Sequence, residues 1–504
     1  MLHRGALLVA LLLLGCQGHF IDEDQPGTNE PPITNAALAF RIGGSGTELI
    51  SGAASDAAGN LYLAGSFTES SDFDPGIGIT ALTSFGGSDS FLAKYSGSGA
   101  LLFVKQIGGA ASEAITTLAR DAAGNLYVGG SFTGDTDFDP GPGFQVLTSV
   151  GGDDGFVAKY SPAGDLLWAR RFGGTGGDAV NDLAVDAAGN LYAAGFFAGQ
   201  AHALPHSPTT IVANGSEADG FLVSFSGAGS LRWALPVGGP AADAAMSVGV
   251  AGAAVVVAGT FKNAADFSRN GAPTSLTTQG GTDVFLATYS TDGVLQWVRD
   301  IGGTGEESTP EGGMALDALG GIALAGGFAG NADFDAGSGI VARTSVSAQD
   351  AFLVRYDAAG SFVSVATIGG AGTVEGSVVQ ADADGSALIA GAFSGAMDFD
   401  PGSGLRSVAS LGQAGATDVF VARYSPSGAL LWVSRFGEAT SQSDRNNRAT
   451  ALALDPTGAV LVGGQFFGSP DFDPGNTSFR LISFGAADGF LVKLTAAGAL
   501  AITP

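Results

Sequence analysis

The stretch 121–168 recurs with few changes one period earlier and one period later. It opens with DAAGNLYVGGSF, passes through TGDTDFDPGPG and closes with VLTSVGGDDGFVAKYSPAGDLLW. Its opening Asp is found at Asp56, Asp121 and Asp186, two successive steps of 65 residues. A fixed period of tens of residues marks a tandem array whose units pack on their neighbours. A chain of 504 residues is too long for one undivided hydrophobic core, and an array removes that limit.

Within the second copy four apolar runs follow one another, at 115–120, 126–132, 155–161 and 166–172. Each has strand length and is bounded by Gly, Asp or Pro. Phe156 and Tyr160 fall on one face of the third run and Lys159 on the other, the period of two that a strand requires. Past the N-terminal apolar run no segment carries a sustained helical stripe, so the expected fold is all-β. The chain contains 82 Gly, which suits many short turns, and 33 Phe with 45% hydrophobic residues, which excludes a disordered chain.

The third run can be followed through seven copies, at 89–95, 154–160, 219–225, 283–289, 350–356, 418–424 and 488–494. Each begins with Asp and has Phe two residues later; the steps are 65, 65, 64, 67, 68 and 70. All four tryptophans, Trp168, Trp233, Trp297 and Trp432, share one phase of the fourth run, as packing elements between sheets would. Seven four-stranded units in tandem imply a seven-bladed β-propeller over residues 38–504. Residues 38–44 match the fourth run and its Gly-Gly turn, while 498–502 begin the same run again. The N-terminal strand is therefore expected to complete the last blade and close the ring, with the C-terminal residues competing for that edge.

These motifs resemble the SBBP (seven-bladed β-propeller) repeat of bacterial exported proteins. The resemblance rests on D-x-x-G-N-x-Y-x-x-G-x-F, D-F-D-P-G and D-x-F-x-x-K-Y-x-x-x-G-x-L-x-W, and covers nearly all of the chain after Ala37. It implies a cell-surface or secreted propeller and names no ligand.

Residues 1–16 read MLHRGALLVALLLLGC, a positive Arg4 followed by an apolar run too short to span a bilayer. The ending Leu13-Leu14-Gly15-Cys16 resembles a bacterial lipobox, which implies cleavage after residue 15 and acylation of Cys16. Cys16 is the only cysteine, so no intramolecular disulfide can form. Several acyl chains on one residue give stable anchoring. Gln17 stands where the family places Asp for inner-membrane retention, which implies the outer membrane or cell surface. Residues 16–37, with Pro26, Pro31 and Pro32 among acids, read as the acylated Cys and a solvated tether.

The formal net charge is −27 and the pI about 4.2. That excludes nucleic acid, which needs a basic surface, and an electrostatic hold on anionic lipid. Carboxylate pairs recur in D-F-D-P-G, at Asp72/Asp74, Asp137/Asp139, Asp333/Asp335, Asp398/Asp400 and Asp471/Asp473. Such a sequence is turn chemistry first, because Asp bonds nearby N–H groups while Pro fixes φ. Two acids at i and i+2 can also offer hard oxygens to Ca2+, although the distal Glu of an EF-hand is missing. D-A-A-G-N, at 56–60, 121–125 and 186–190 with looser versions at Asp317, Asp382 and Asp455, reads as a hairpin turn.

Singular features lie where the repeat is broken. Copy three has His202 and His206 in place of D-F-D-P-G, with Pro205 and Pro208 opposing a helix that would align them. Copy four keeps only Asp266 and adds Arg269; the insertion before copy seven brings Arg445 and Arg448. Loops of this kind on a rigid scaffold are candidate partner-binding sites. No nucleophile elbow, H-E-x-x-H or P-loop occurs. The expectation is a monomeric, lipid-anchored module that binds a protein or glycan, with no catalytic residue assigned. The alternative is an exported propeller enzyme, either a glycan hydrolase or lyase or a quinoprotein-like dehydrogenase; the G-x-L-x-W run faintly resembles the tryptophan motif of the latter.

Overall fold

Short apolar runs cut by Gly-rich turns cannot build helices of useful length, and strands alone form. A computed structural model describes residues 38–204, 209–268, 273–400, 402, 404–439, 446–475 and 477–501. The described residues are all-β and divide into several antiparallel sheets. In copy two the strands are Glu113–Arg120, Leu126–Phe132, Asp154–Tyr160 and Leu166–Gly174, within two residues of the expected bounds. Each pairs with the next in chain order. The same meander recurs in copy three as Ala179–Val185, Leu191–Ala198, Ala218–Phe225 and Leu231–Val237.

The N-terminal strand takes the contested edge. Ala39–Gly44 pairs with the third strand of the last copy, Asp488–Leu494, in the register Ala39↔Val492 to Ile42↔Gly489. The C-terminal residues make one bridge, Leu494↔Leu500, and fold beside Leu38, whose N–H donates to Ala501 O. A six-residue strand satisfies more of that edge than a single bridge can.

The residues between the second and third strands are more than the turn expected from sequence. In copy two they form a second hairpin, Asp135–Asp137 with Val146–Thr148, that reaches back to the preceding copy. It pairs there with the end of the fourth strand, Gly108↔Asp137 and Gly109↔Thr136. That close approach explains the Gly-Gly. A Cβ on Gly109 would meet Asp135 O at 2.1 Å, and one on Gly108 would meet the Asp89 carboxylate at 2.0 Å.

Both faces of the second and third strands are largely buried, so neighbouring copies share their cores. Tyr62 and Leu92 of copy one pack with Val128 and Phe156 of copy two. Lys159, expected on a polar face, is itself buried and lies 3.6 Å from Asp121 and over the Tyr127 ring. Trp168 and Trp233 donate Nε1–H to Gly227 O and Thr291 O in the following copy, the inter-unit role expected of them. The first strands of consecutive copies lie side by side, and that of the last copy, Arg448–Leu454, lies against that of the first, Glu48–Ser55. Side chains at one phase stitch them: Thr116 Oγ1 donates to Val180 O (2.7 Å), Asn181 Nδ2 to Ala245 O (3.0 Å) and Thr450 Oγ1 to Ile50 O (2.6 Å).

Candidate functional site

The repeated acids are occupied with the fold. Asp137 Oδ1 accepts N–H groups from Asp139 (3.0 Å) and Gln145 (2.9 Å), and Asp139 Oδ1 accepts that of Gly141 (2.8 Å). Asp72, Asp333, Asp398 and Asp471 each make the equivalent two bonds, and Asp74, Asp335, Asp400 and Asp473 the equivalent one. Among the described residues no group of three or more His, Cys, Asp or Glu side chains is arranged to hold a metal ion. The Phe inside the motif does the packing. Phe138 is buried, 4.8 Å from the Phe156 ring and 5.5 Å from that of Phe132, and its carbonyl accepts the Tyr160 hydroxyl (2.9 Å).

The broken copies follow from that latch. His202 pairs with Gly173 in the register position of Asp137, which puts Ala203 where Phe138 would be. Phe172 compensates by stacking on Phe221 at 4.0 Å, and Phe225 replaces the hydroxyl-bearing Tyr whose acceptor is gone. Thr210 Oγ1 lies 3.3 Å from His202 Nδ1. In copy four Asp266 accepts the N–H groups of Ser268 and Thr274. His206, Arg269, Arg445 and the lipid-attachment residue Cys16 lie outside the described residues.

Arg448, a candidate binding-loop residue, opens onto a cavity. A cavity of about 570 Å³ runs between the first strands. Thr116 is a single bulged residue there, standing between the pairs Ile115↔Gly130 and Thr117↔Gly129. Copy five departs from this pattern. Its first strand is split into Glu307–Ser308 and Met314–Leu316. Register places Pro310, Glu311 and Gly312 where the single bulge residue stands elsewhere. The loop is pinned by Gly313 N donating to Pro310 O (3.1 Å) and Val379 N donating to Gly312 O (3.1 Å). Glu311 is thereby delivered to the cavity wall and is exposed.

Three further charged groups line the same space. Asp182, at the register position of Thr117, accepts N–H groups from Leu183 (2.8 Å) and Val248 (2.9 Å) and the Thr117 hydroxyl (3.0 Å). Burial pushes its carboxyl up to about 7 against the pull of those donors, and Glu311 adds to the rise. Although Glu311 reaches solvent, the surrounding cavity walls strip part of its hydration and raise it, while Arg448 draws it down. Glu375 and Arg448 are exposed and occupy the phase filled elsewhere by Leu49, Ala114, Ala179, Ala244 and Ser308. At this phase one sector of the opening is therefore charged and the rest is not. The sequence held a signal for Glu311, the step of 67 residues that ends at copy five; Asp182 sits inside a regular strand and left none.

No family model matches the chain. An uncharacterized WD repeat-containing protein of Acanthamoeba polyphaga mimivirus is 25% identical over 202 residues, 35% of this chain and 14% of its own length. The regulatory protein FlaEY of Caulobacter vibrioides is 25% identical over 277 residues, 52% of this chain and 27% of its own length. The chain thus matches about a quarter or less of either curated relative. Among solved structures, a polysaccharide lyase described as a PL25 ulvan lyase aligns over 92% of this chain and 96% of its own, with 12% identity and a TM-score of 0.45. The U3-55K structure aligns over 92% and 99%, with 11% identity and a TM-score of 0.42.

Proposed function

We propose that the chain is a closed seven-bladed β-propeller held at the bacterial outer membrane or cell surface by acylated Cys16. In this reading it is a binding module for a protein or glycan partner, and the charged sector of the cavity is its recognition site. Seven copies of the third run, the cyclic contacts of the first strands and the edge taken by Ala39–Gly44 support the closed ring. A relative named for WD repeats agrees with it.

The observation that carries the binding role is the break in symmetry at Glu311, Glu375 and Arg448. A purely structural opening has no need of Glu375 and Arg448 at a phase where the other copies place Leu, Ala or Ser, nor of an exposed Glu311 at the bulge of the adjacent copy. Chain direction supports the orientation. The first strands begin, and the fourth strands end, at the opening that carries Glu375 and Arg448. Ala39–Gly44 is a fourth strand, so Leu38 lies at the opposite end, beside Ala501. A tether ending at residue 37 would leave from that end and turn the charged opening away from the membrane.

The test is a screen of the full chain against a glycan array and bacterial surface extracts, paired with Glu311→Ala, Glu375→Ala and Arg448→Ala combined. Binding lost in the triple variant at an unchanged melting temperature supports the site; binding that survives it rejects the site. Cys16→Ser is expected to release the protein from the membrane fraction, and retention there would reject the anchor.

One observation favours an enzymatic reading as well. Asp182 and Glu311 come from different copies, share one cavity and couple electrostatically. A carboxyl that titrates near 7 can pass protons at neutral pH, as glycan hydrolysis or elimination requires. Turnover of a polysaccharide panel that disappears in Asp182→Asn would establish this reading over the first.

A further inference from the structure

Joints between consecutive copies contain pairs of buried acids. Asp89/Glu113, Asp154/Asp178, Asp219/Asp243 and Asp283/Glu307 each set the Asp that begins the third run against an acid at the start of the next first strand. Asp488 and Glu48 repeat the arrangement across the junction of last and first copies. All ten carboxyl groups belong to residues no more than 3% exposed. Two like charges so placed repel each other in a medium that solvates neither, and each joint must relieve that cost.

Three joints relieve it with a donor from the fourth strand. Gln106 Nε2 donates to Asp89 (2.6 Å), Arg171 Nη1 to Asp154 (2.5 Å) and Arg41 Nη1 to Asp488 (3.0 Å). These donors share one register, opposite Phe91, Phe156 and Phe490. Opposite Phe285, in that same register, stands Asp300. The joint of Asp283 and Glu307 therefore has an acid where three of its counterparts have a guanidinium or an amide and the Asp219/Asp243 joint has the uncharged Pro236. The other charge facing it is Glu306. Of the cations on adjoining strands, Arg299 packs over the Trp297 ring and Lys262 is exposed.

Backbone groups satisfy only half of this pair. Asp283 Oδ2 accepts Gln279 N–H (3.0 Å) and Glu307 Oε2 accepts Gly303 N–H (3.1 Å). Asp283 Oδ1 and Glu307 Oε1 are buried and receive no donor, and the two carboxyls stand within hydrogen-bonding reach of each other. A hydrogen bond between two carboxyl groups exists only when one of them carries a proton.

We propose that Asp283 and Glu307 hold one proton between them, and that its loss as pH rises loosens the segment 303–313, which carries Glu311 into the cavity. Glu307 lies four residues before Glu311, and the strand it opens has only two residues before the wide bulge. Its counterpart Glu113 opens an eight-residue strand. Repulsion at Glu307 therefore meets less ladder to resist it. Burial, then the neighbouring acids, raises Glu307 to about 8, and burial above all raises Asp283 to about 6. A group whose affinity for protons is higher folded than unfolded stabilises the fold below the ordinary carboxyl range. That contribution is lost as pH rises through the folded values, here from about 6 to about 8. The proposal does not depend on what the cavity binds.

The experiment is hydrogen exchange of the full chain between pH 6 and 9, corrected for the intrinsic pH dependence of amide exchange. Segment 303–316 is expected to lose protection several-fold more than segment 109–120, whose joint has Gln106. In Glu307→Gln the amide N–H replaces the shared proton, and the excess loss should vanish. Asp300→Arg, which installs the cation of the counterpart joints, should remove it too and serves if the first variant folds poorly. Parallel loss in the two segments of the wild type, or an undiminished excess in either folded variant, would overturn the proposal.

Discussion

Copies two and five carry the same four runs and make different use of them. Copy two has an unbroken first strand, one bulge residue at Thr116, and Asp154 held by Arg171. Copy five has a split first strand, three residues in place of that bulge, and a leading joint with Asp300 in the cation's place. In copy two a guanidinium offsets the buried Asp154 and the first strand stays whole, so the copy is scaffold. In copy five regular pairing is given up over a few residues, and an exposed carboxylate and an uncompensated buried pair appear together. A tandem array can concentrate chemistry this way because each unit contacts only its neighbours, so a local departure does not spread.

Removing the cation from copy two should produce the largest effect. Arg171→Ala leaves Asp154 charged and buried beside Asp178, a loss of roughly 3–5 kcal/mol by denaturant unfolding. Asp300→Ala, at the same register before copy five, is expected to be neutral or stabilising; equal destabilisation by the two would erase the contrast between the joints. A smaller effect is expected at the latch. Tyr160→Phe deprives the buried Phe138 carbonyl of its donor and should cost about 1–3 kcal/mol. Copy three already has Phe225 at that phase without such an acceptor, so Phe225→Tyr should gain no stability there.

The smallest effect concerns acid pH. Side-chain and backbone donors from Asn125, together with Lys159, hold Asp121 below the ordinary carboxylate range against the opposing effect of burial. A carboxyl lowered in the fold stabilises it above the unfolded pKa, and that contribution fades as pH falls through the folded value. Asp121→Asn should therefore flatten the acid side of the stability profile and leave the alkaline side, where Glu307 acts, unchanged. A variant profile that shifts on the alkaline side would break the separation between hairpin acids and joint acids.

Much of the fold could be read from the chain because it is written locally. Strand bounds at Leu126–Phe132 follow from alternation and flanking turn residues, and the D-A-A-G-N turn forms as expected, with Asp121 accepting Asn125 N–H (2.8 Å). D-F-D-P-G was legible as a turn, but the partner of its hairpin was not, since Gly108 and Gly109 belong to another copy. The burial in that hairpin comes from Phe138, between the two acids. Glu311 could have been found from the lengthened step to copy five; Asp182 could not, because nothing in Asn181-Asp182-Leu183 separates it from a solvated strand residue.

The sequence by itself determined the period, the four runs of each copy, the turns between them and the residues that depart from the pattern. These depend on neighbours a few positions away, where φ/ψ preference and alternation act. The tertiary structure alone decided which terminus takes the last sheet edge, which acids share a buried joint, and that Arg171 and Asp300 stand in the same place with opposite charge. Those outcomes depend on desolvation and on charges brought together across tens to hundreds of residues, as from Arg41 to Asp488, and through-space electrostatics leaves no mark in local sequence.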